Sequence, residues 1–261
     1  MPILQRPTAA LYYEVLGETG PWLTLVNGHT RSSRDFKLLA KVFVAAGFRC
    51  LIFDNRGSGQ TSEEGPIRLD DMVEDILALW THCRVKRSHL MGISMGGIVS
   101  QFLAARNPQL IDHLVLVSTA ASSGYLASLS FEPWGRELPE VESRLKKYVS
   151  AGFYARNKLL MQAMAKQILT AIQSDGFESR ATAQHLAIAG FDTRDLLPRI
   201  AAPTLIIHGT DDTVIPLAAA SEIAALIPGA RLQLVAEGGH LLLAEDSKRL
   251  GQMVIDFCAK T

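Results

Sequence analysis

The chain has 261 residues, with 26 lysines and arginines against 26 aspartates and glutamates, so its formal net charge is zero. This balance, without a basic run, argues against nucleic-acid binding, and no apolar stretch reaches the roughly 18 residues of a membrane span. Apolar side chains make up 48% of the chain, enough for a sizeable core. We expect a soluble, cytoplasmic protein, and the sequence does not indicate its oligomeric state.

Short apolar runs rich in valine, isoleucine and leucine alternate with longer stretches of helical spacing. The predicted strands are, in chain order, ALYYEVLG, WLTLVNG, RCLIFDN, SHLMGIS, IDHLVLVSTA, PTLIIHG and ARLQLVAEG. The predicted helices are SSRDFKLLAKVFVAAGF, LDDMVEDILALWTHC, MGGIVSQFLAARNP, PLAAASEIAALIPG and HLLLAEDSKRLGQMVIDFCAK. Such strands are typical of a parallel sheet covered on both faces, so we predict an α/β protein with a mostly parallel central sheet flanked by helices. The first two strands are close enough in sequence to form a hairpin, so the sheet is expected to begin antiparallel.

One segment interrupts this alternation. It covers 121–195, starts with small residues and continues as an aromatic, helical stretch. Because the segment carries too few apolar residues to form a core alone, we predict a helical insertion at 121–195. The core would then be formed by 1–120 and 196–261.

A lone serine stands between glycines in GISMG, where a predicted strand gives way to a helix. Turning the chain within one residue strains the backbone at Ser94 and brings the residues on either side into contact. Gly92 and Gly96 have no Cβ to collide, and the following helix directs its N-terminal N–H groups toward the serine hydroxyl. A nucleophilic serine explains this arrangement, and a turn that only allows close packing of strand and helix is the alternative.

An acidic pair and a histidine follow later in the chain. Asp211 and Asp212 come after one predicted strand, and His240 comes after the last. The carboxyl ends of parallel strands share one edge of a sheet, which is where ligands bind in open α/β proteins. We therefore expect these side chains to meet Ser94, with either aspartate able to orient His240.

Four motifs together resemble those of the α/β-hydrolase superfamily, over nearly the whole chain: FDNRGSGQTS, GISMG, HGTDDTVIP and GGH. The aromatic helical insertion resembles the cap of a group that includes enol-lactonases, meta-cleavage C–C hydrolases, aminoacrylate hydrolases and non-haem haloperoxidase-like esterases. The resemblance implies an α/β-hydrolase fold with a helical cap at 121–195. It is specific for the superfamily but not for the substrate.

The resemblance also implies the roles of a Ser-His-Asp triad. Ser94 is expected to be the nucleophile and His240 the general base. The family spacing of glycine, two residues and acid, counted from Gly209, favours Asp212 as the group that orients His240. Asp211 is then expected to be a turn residue whose side chain satisfies local backbone N–H groups.

Two backbone N–H groups are expected to hold the oxyanion that forms during acyl transfer. One belongs to Met95, which follows the nucleophile, and the other to His29, in the loop VNGHTRSS. Related proteins have His-Gly in this loop where this chain has Asn27 and Gly28. The departure puts in doubt the hydrogen bonds that brace the loop.

The substrate is expected to touch the oxyanion loop and the insertion. The residues predicted to contact it are Gly28, Trp134, Phe153 and Tyr154. Phe131 is a further aromatic candidate, and each aromatic residue of the insertion could instead belong to the insertion's own core.

These roles predict a serine hydrolase that acts on a small-molecule substrate, a carboxylic ester or lactone, without cofactor or metal. One alternative is cleavage of a carbon–carbon bond in a β-diketone-like acid, with a cap arginine holding the substrate carboxylate. The candidates for that role are Arg136, Arg144, Arg156 and Arg180. A second alternative is a triad-bearing, ligand-dependent signalling protein with slow turnover.

Overall fold

The strands and helices follow the alternation of the sequence in a computed structural model that describes residues 2–126 and 134–259. The strands are β1 (Ile3–Arg6), β2 (Ala9–Leu16), β3 (Trp22–Val26), β4 (Arg49–Phe53), β5 (Ser62–Glu63), β6 (Ser88–Ile93), β7 (Ile111–Val117), β8 (Thr204–Gly209) and β9 (Arg231–Val235). The helices are α1 (Lys37–Ala45), α2 (Leu69–His82), α3 (Met95–Arg106), α4 (Leu138–Leu145), α5 (Ala151–Arg156), α6 (Lys158–Ile172), α7 (Phe177–Ala187), α8 (Leu217–Leu226), α9 (Leu242–Glu245) and α10 (Ser247–Cys258).

The strands within the described residues form one sheet with the order β1-β2-β4-β3-β6-β7-β8-β9, and β5 pairs with β2. From β4 to β9 all neighbours along this order are parallel, whereas β1, β2 and β4 pair antiparallel. The predicted α/β fold with a mostly parallel sheet is confirmed.

The predicted hairpin between the first two expected strands is wrong. Strand β3 pairs with β4 on one side and with β6 on the other, so both of its edges are occupied by parallel neighbours. The hairpin partner of β2 is β1, whose sequence ILQR is too short to give a clear strand pattern. The sheet nevertheless begins antiparallel, as expected.

Helices cover both faces of the sheet with apolar side chains. One buried cluster includes residues of α2, α3 and α8, such as Ile76, Val99 and Ile223. The cluster on the other side includes residues of α1 and α10, such as Phe43 and Val254. This burial on both faces explains why the central strands are mostly apolar.

Among the described residues between β7 and β8 there are four α-helices, α4 to α7. They share a small buried cluster that includes Val141, Leu145, Phe153 and Met161. An isolated antiparallel bridge between Ser122 and Asp192 joins the two ends of the segment. The domain division at 121–195 stays a prediction, and Phe131 lies outside the described residues.

No helix in 2–126 or 134–259 combines the length and the hydrophobicity that a membrane crossing requires.

Two buried histidines face each other near the amino ends of β6 and β7. The Nδ1 atoms of His89 and His113 lie 3.1 Å apart, and the two rings pack against the edges of Phe48 and Phe257. Burial lowers the pKa of His89 to about 4, with the nearby His113 adding to the shift, and burial also lowers the pKa of His113. The folded protein therefore holds this pair neutral.

This pair should make the fold sensitive to acid. The unfolded chain protonates its histidines near pH 6.5. The contribution of the neutral pair to the free energy of unfolding is therefore fully present above that pH and is lost as the pH drops toward 4. We expect His89 alone to contribute a loss of about 3 kcal/mol across this window. Urea unfolding at pH 7 and pH 5 should show about 2 kcal/mol of this loss from His89. The difference should shrink in a His89→Gln/His113→Gln variant and persist in the exposed-site control His82→Gln. An unchanged pH dependence in the double variant would contradict the assignment.

Candidate active site

Ser94 is the single residue between the end of β6 and the start of α3, and its backbone is strained. Its φ of 53° and ψ of −119° lie in a region that residues with a side chain rarely adopt. Its N–H donates to the carbonyl of Val117, and the hydroxyl of Thr119 donates to its carbonyl. These bonds to the last residue of β7 and to Thr119, just after the strand, hold the strained residue in place.

The flanking glycines allow strand and helix to meet at this corner. A Cβ on Gly92 would lie 2.4 Å from the carbonyl oxygen of Gly96 and from Ser100 Oγ. A Cβ on Gly96 would lie 2.1 Å from the carbonyl oxygen of Val26. Both distances are shorter than any real contact, so the predicted steric role of these glycines agrees with the packing around Ser94.

We expect Gly96→Ala to damage both the fold and the corner. The new methyl group has to push back the backbone of β3, which in a packed core costs about 1–3 kcal/mol. Thermal unfolding should therefore shift to lower temperature. Gly124→Ala is a useful control, since a Cβ there would come no closer than 3.6 Å to its nearest neighbour, Ser122 Oγ, and the backbone φ is not positive. A Gly96→Ala protein as stable as the wild type would contradict the packing.

The structure brings Ser94, Asp212 and His240 together at the carboxyl edge of the sheet. His240 Nε2 lies 3.2 Å from Ser94 Oγ, and His240 Nδ1 lies 2.9 Å from Asp212 Oδ2. Asp212 and His240 are buried, with relative exposures of 7% and 5%. The imidazole can therefore exchange a proton with the hydroxyl on one side while the carboxylate holds its other nitrogen.

The two aspartates of the acid loop have different surroundings. Asp212 Oδ1 accepts the N–H groups of Val214 and Ile215, which leaves Oδ2 for His240. Asp211 is exposed, and its carboxylate accepts the hydroxyl of Thr210. The side chain that satisfies the local backbone N–H groups is thus Asp212, whereas this task was expected of Asp211.

Asp212 is held in its ionised form. Burial alone raises the pKa of a carboxyl, but the charge and hydrogen bond of His240 outweigh it, and the Ile215 N–H also helps to lower the pKa of Asp212. A second histidine, His208, lies beside the carboxylate of Asp212, with its Nε2 at 3.6 Å from Asp212 Oδ2. His208 donates from Nε2 to the carbonyl of Ile215, and burial lowers its pKa, so it is a neutral neighbour.

The loop after β3 runs directly beside Ser94. A Cβ on Gly28 would lie 3.3 Å from Ser94 Cβ, so the backbone at Gly28 approaches the nucleophile closely. Asn27 braces this loop: its Oδ1 accepts the N–H of Gly28, and its Nδ2 donates to the carbonyl of Ser32. The carbonyl of Asn27 in turn accepts from Asn55 Nδ2. The asparagine that departs from the family pattern therefore supplies bonds of its own.

The side chain of His29 holds a helix of the segment between β7 and β8. Its Nε2 donates to the carbonyl of Ala181 in α7, and burial lowers its pKa to about 4. Gln184, also in α7, accepts the N–H of Thr30 and donates to the carbonyl of Arg56. The loop that carries the expected oxyanion donor is thus tied to α7.

Aromatic rings extend from His240 into the same segment. The ring of Tyr148 packs edge-on against His240 with 6.0 Å between centroids, and Trp134 stacks on Tyr148 at 5.8 Å. The guanidinium of Arg144 lies 4.7 Å over the Trp134 ring. Of the aromatic residues predicted to contact substrate, Trp134 is thus connected to His240 through Tyr148, a residue with no motif around it in the sequence.

Phe153 and Tyr154 make contacts within the helical segment. Phe153 is buried in its apolar cluster, and its N–H donates to Ser150 Oγ at the start of α5. Tyr154 donates to Glu142 Oε1, and Lys146 lies 5.1 Å from its ring. Contact of these two residues with a substrate stays a prediction.

A mostly parallel sheet covered by helices, with a strained serine ending a central strand beside a histidine and an acid, defines the α/β-hydrolase class. The chain belongs to the family described as alpha/beta hydrolase fold, whose sequence profile matches residues 21–247. This match confirms the resemblance seen in the motifs.

Individual proteins of this class are similar to the chain over most of its length. The 3-oxoadipate enol-lactonase 2 of Acinetobacter baylyi is 26% identical, covering 78% of this chain and 76% of the relative. The crystal structure of the enol-lactonase of Burkholderia xenovorans LB400 has a TM-score of 0.86 and 25% identity, covering 99% of this chain and 100% of the other. The meta-cleavage product hydrolase of Pseudomonas fluorescens IP01 has a TM-score of 0.83 and 21% identity, with 97% and 95% covered. The family and the enol-lactonase relative of Acinetobacter baylyi support the prediction of a hydrolase, whereas the meta-cleavage product hydrolase shows similarity of fold alone.

Proposed function

We propose that the protein is a serine hydrolase that cleaves a small carboxylic ester or lactone through an acyl-enzyme. The observation that carries the proposal is the position of His240, with Nε2 at 3.2 Å from Ser94 Oγ and Nδ1 at 2.9 Å from Asp212 Oδ2. A serine hydroxyl is a weak nucleophile at neutral pH and needs such a base within hydrogen-bond reach.

In the first half of the reaction, Ser94 Oγ attacks the acyl carbon while His240 Nε2 takes its proton. The resulting oxyanion is held by the N–H groups of Met95 and His29. When the tetrahedral intermediate collapses, His240 returns the proton to the leaving oxygen, and the acyl group stays on Ser94. Asp212 stabilises the imidazolium that forms in between.

In the second half, His240 takes a proton from water, which attacks the acyl-enzyme. The same N–H groups hold the second oxyanion, and the acid product leaves as Ser94 regains its proton. For a lactone the leaving oxygen remains part of the product, so one ring-opened molecule is released. Water is the only co-reactant.

The segment at 121–195 is proposed to be a cap over this site. Two contacts support it: Tyr148 packs on His240, and Ala181 accepts from His29. A substrate between cap and sheet would lie beside Gly28 and within reach of Trp134. Shielding from water by such a cap strengthens the electrostatic interactions around the oxyanion.

The proposal is tested with p-nitrophenyl esters of short acids and with γ-lactones. Wild-type protein should hydrolyse members of this panel, and Ser94→Ala should lose at least about 10⁴-fold in rate. Ser118→Ala is the matched control: Ser118 also sits at a strand end, and its buried hydroxyl has no hydrogen-bond partner in the described residues. Equal rates in wild type and Ser94→Ala would refute the nucleophile, and no turnover with tight ligand binding would favour the signalling alternative.

One observation favours carbon–carbon bond cleavage as a second candidate. One of the arginines considered for binding a substrate carboxylate, Arg144, stacks on Trp134, which in turn stacks on the Tyr148 ring that contacts His240. Arg144→Met should then weaken the binding of a β-diketone acid and leave neutral esters unaffected. Faster turnover of neutral esters than of any such acid would exclude this candidate.

A further inference from the structure

We propose that Glu245, the last residue of α9, is a positioning residue that fixes His240 by binding the peptide N–H next to it. The inference rests on the proposed function, because it concerns the alignment of His240 with Ser94. Neither the sequence pattern nor the proposed reaction assigns this side chain a role.

The carboxylate of Glu245 joins the histidine loop to the segment 147–150. Its Oε1 accepts the N–H of Gly239 at 3.0 Å and the N–H of Ser150 at 3.2 Å, and its Oε2 accepts the hydroxyl of Ser150 at 2.9 Å. Ser150 is buried, and its hydroxyl also accepts the N–H of Phe153, which caps α5. One carboxylate thus binds the residue before His240 and the residue that begins a cap helix.

The residue after His240 is tied to the same segment. The N–H of Leu241 donates to the carbonyl of Tyr148 at 2.9 Å. Across the site, the hydroxyl of Thr213, next to Asp212, donates to the carbonyl of Lys147 at 2.7 Å. The segment 147–150 therefore touches both loops that carry the partners of Ser94, and the Glu245 carboxylate attaches it to the histidine loop by side-chain hydrogen bonds.

The backbone at Gly239 packs closely against both Ser150 and Glu245. A Cβ on Gly239 would lie 2.5 Å from the N of Ser150 and 2.6 Å from Glu245 Oε1. Only glycine lets the backbone before His240 approach both groups so closely. The backbone of His240 is consequently held on both sides by partners outside its own loop.

The surroundings of Glu245 disfavour the charged form of its carboxyl group. Burial raises the pKa of Glu245, and the charge of Asp212 acts in the same direction, against the lowering effect of the bonds from Gly239 and Ser150. A half-buried charge of this kind is tolerated when hydrogen bonds compensate its desolvation. An amide of the same shape could accept the two N–H groups with its oxygen and donate to Ser150 Oγ with its nitrogen.

Removal of Glu245 leaves the N–H of Gly239 and the N–H of Ser150 without their acceptor. The backbone before His240 then relaxes, and the 3.2 Å separation between its Nε2 and Ser94 Oγ widens. Misplacement of a reacting group by about 1 Å costs about 10²-fold in rate. The loss of rate should appear in kcat rather than in KM, because Glu245 has no proposed role in binding the substrate.

The experiment compares Glu245→Ala, Glu245→Gln and Asp246→Ala with p-nitrophenyl acetate as substrate, alongside thermal unfolding. Glu245→Ala should lower kcat by about 10- to 100-fold with KM changed less than about twofold. Glu245→Gln should stay within about threefold of the wild type, since the amide preserves the bonds. Asp246→Ala is the matched control for stability: Asp246 caps α10 through the N–H of Arg249, so its loss should lower Tm and leave kcat unchanged.

The outcomes separate this inference from the proposed function. If Ser94→Ala abolishes turnover while Glu245→Ala keeps the wild-type kcat, the positioning role is overturned and the serine hydrolase stands. If Glu245→Ala and Asp246→Ala lose kcat only in proportion to their loss of folded protein, Glu245 is merely structural. If Ser94→Ala retains full turnover, the proposed function itself fails.

Discussion

Asp212→Asn is expected to lower kcat by about 10⁴-fold, whereas Asp211→Asn should leave it nearly unchanged. Asp212 Oδ2 accepts a hydrogen bond from the Nδ1–H of His240, which leaves Nε2 free to act as a base toward Ser94. An asparagine can turn its NH₂ group toward Nδ1, and the ring then carries its proton on Nε2, where it cannot accept one from the serine. Steady-state hydrolysis of p-nitrophenyl acetate measures the difference.

Asp212→Asn should keep its fold. Oδ1 of the asparagine can still accept the N–H groups of Val214 and Ile215, so the acid loop is retained. A normal thermal unfolding curve together with a large loss of kcat would support the role. A larger loss in Asp211→Asn than in Asp212→Asn would show that the acid has been assigned to the wrong residue.

His240→Ala is expected to lower kcat by about 10⁵- to 10⁶-fold, because Ser94 loses its only base in the proposed reaction. The truncated side chain leaves a space against the Tyr148 ring, so added imidazole should restore part of the rate. The rate of p-nitrophenyl acetate hydrolysis should rise with the concentration of neutral imidazole. The background to subtract is the reaction of the ester in protein-free buffer that contains the same concentration of imidazole.

His208→Gln is the matched control for this variant. His208 is buried and lies 3.6 Å from the same carboxylate, but its Nε2–H is directed at the carbonyl of Ile215. It should lose far less activity than His240→Ala and gain nothing from imidazole. Equal losses in the two variants would mean that damage around Asp212, rather than loss of the base, accounts for the effect.

The local part of the site could be predicted from the sequence because short-range sterics determine it. A serine in a one-residue turn between strand and helix requires small neighbours, and Gly92 and Gly96 provide them. The order of apolar strands placed Asp212 and His240 at the same edge of the sheet as Ser94. The choice between the two aspartates depended on the family spacing, since nothing in the residues alone separates Asp211 from Asp212.

Contacts between distant segments could not be predicted in this way. Tyr148 meets His240, and Glu245 meets Ser150, through helices whose packing has no local signature in the sequence. The pairing of β2 with β4 was missed for the same reason: strand order is a tertiary property, and proximity in sequence favoured a hairpin with β3. The aromatic residues of the insertion show the same limit, because Phe153 has the pattern of either a core or a pocket residue.

Trapping of the acyl-enzyme tests the central claim most directly. Wild-type protein mixed with a p-nitrophenyl ester and quenched in acid within milliseconds should show, by mass spectrometry, the added mass of one acyl group. Proteolysis should locate that mass on the peptide that contains Ser94, and the Ser94→Ala protein should remain unmodified. An acyl group on a different residue, or undiminished hydrolysis by Ser94→Ala without any adduct, would contradict nucleophilic attack by Ser94.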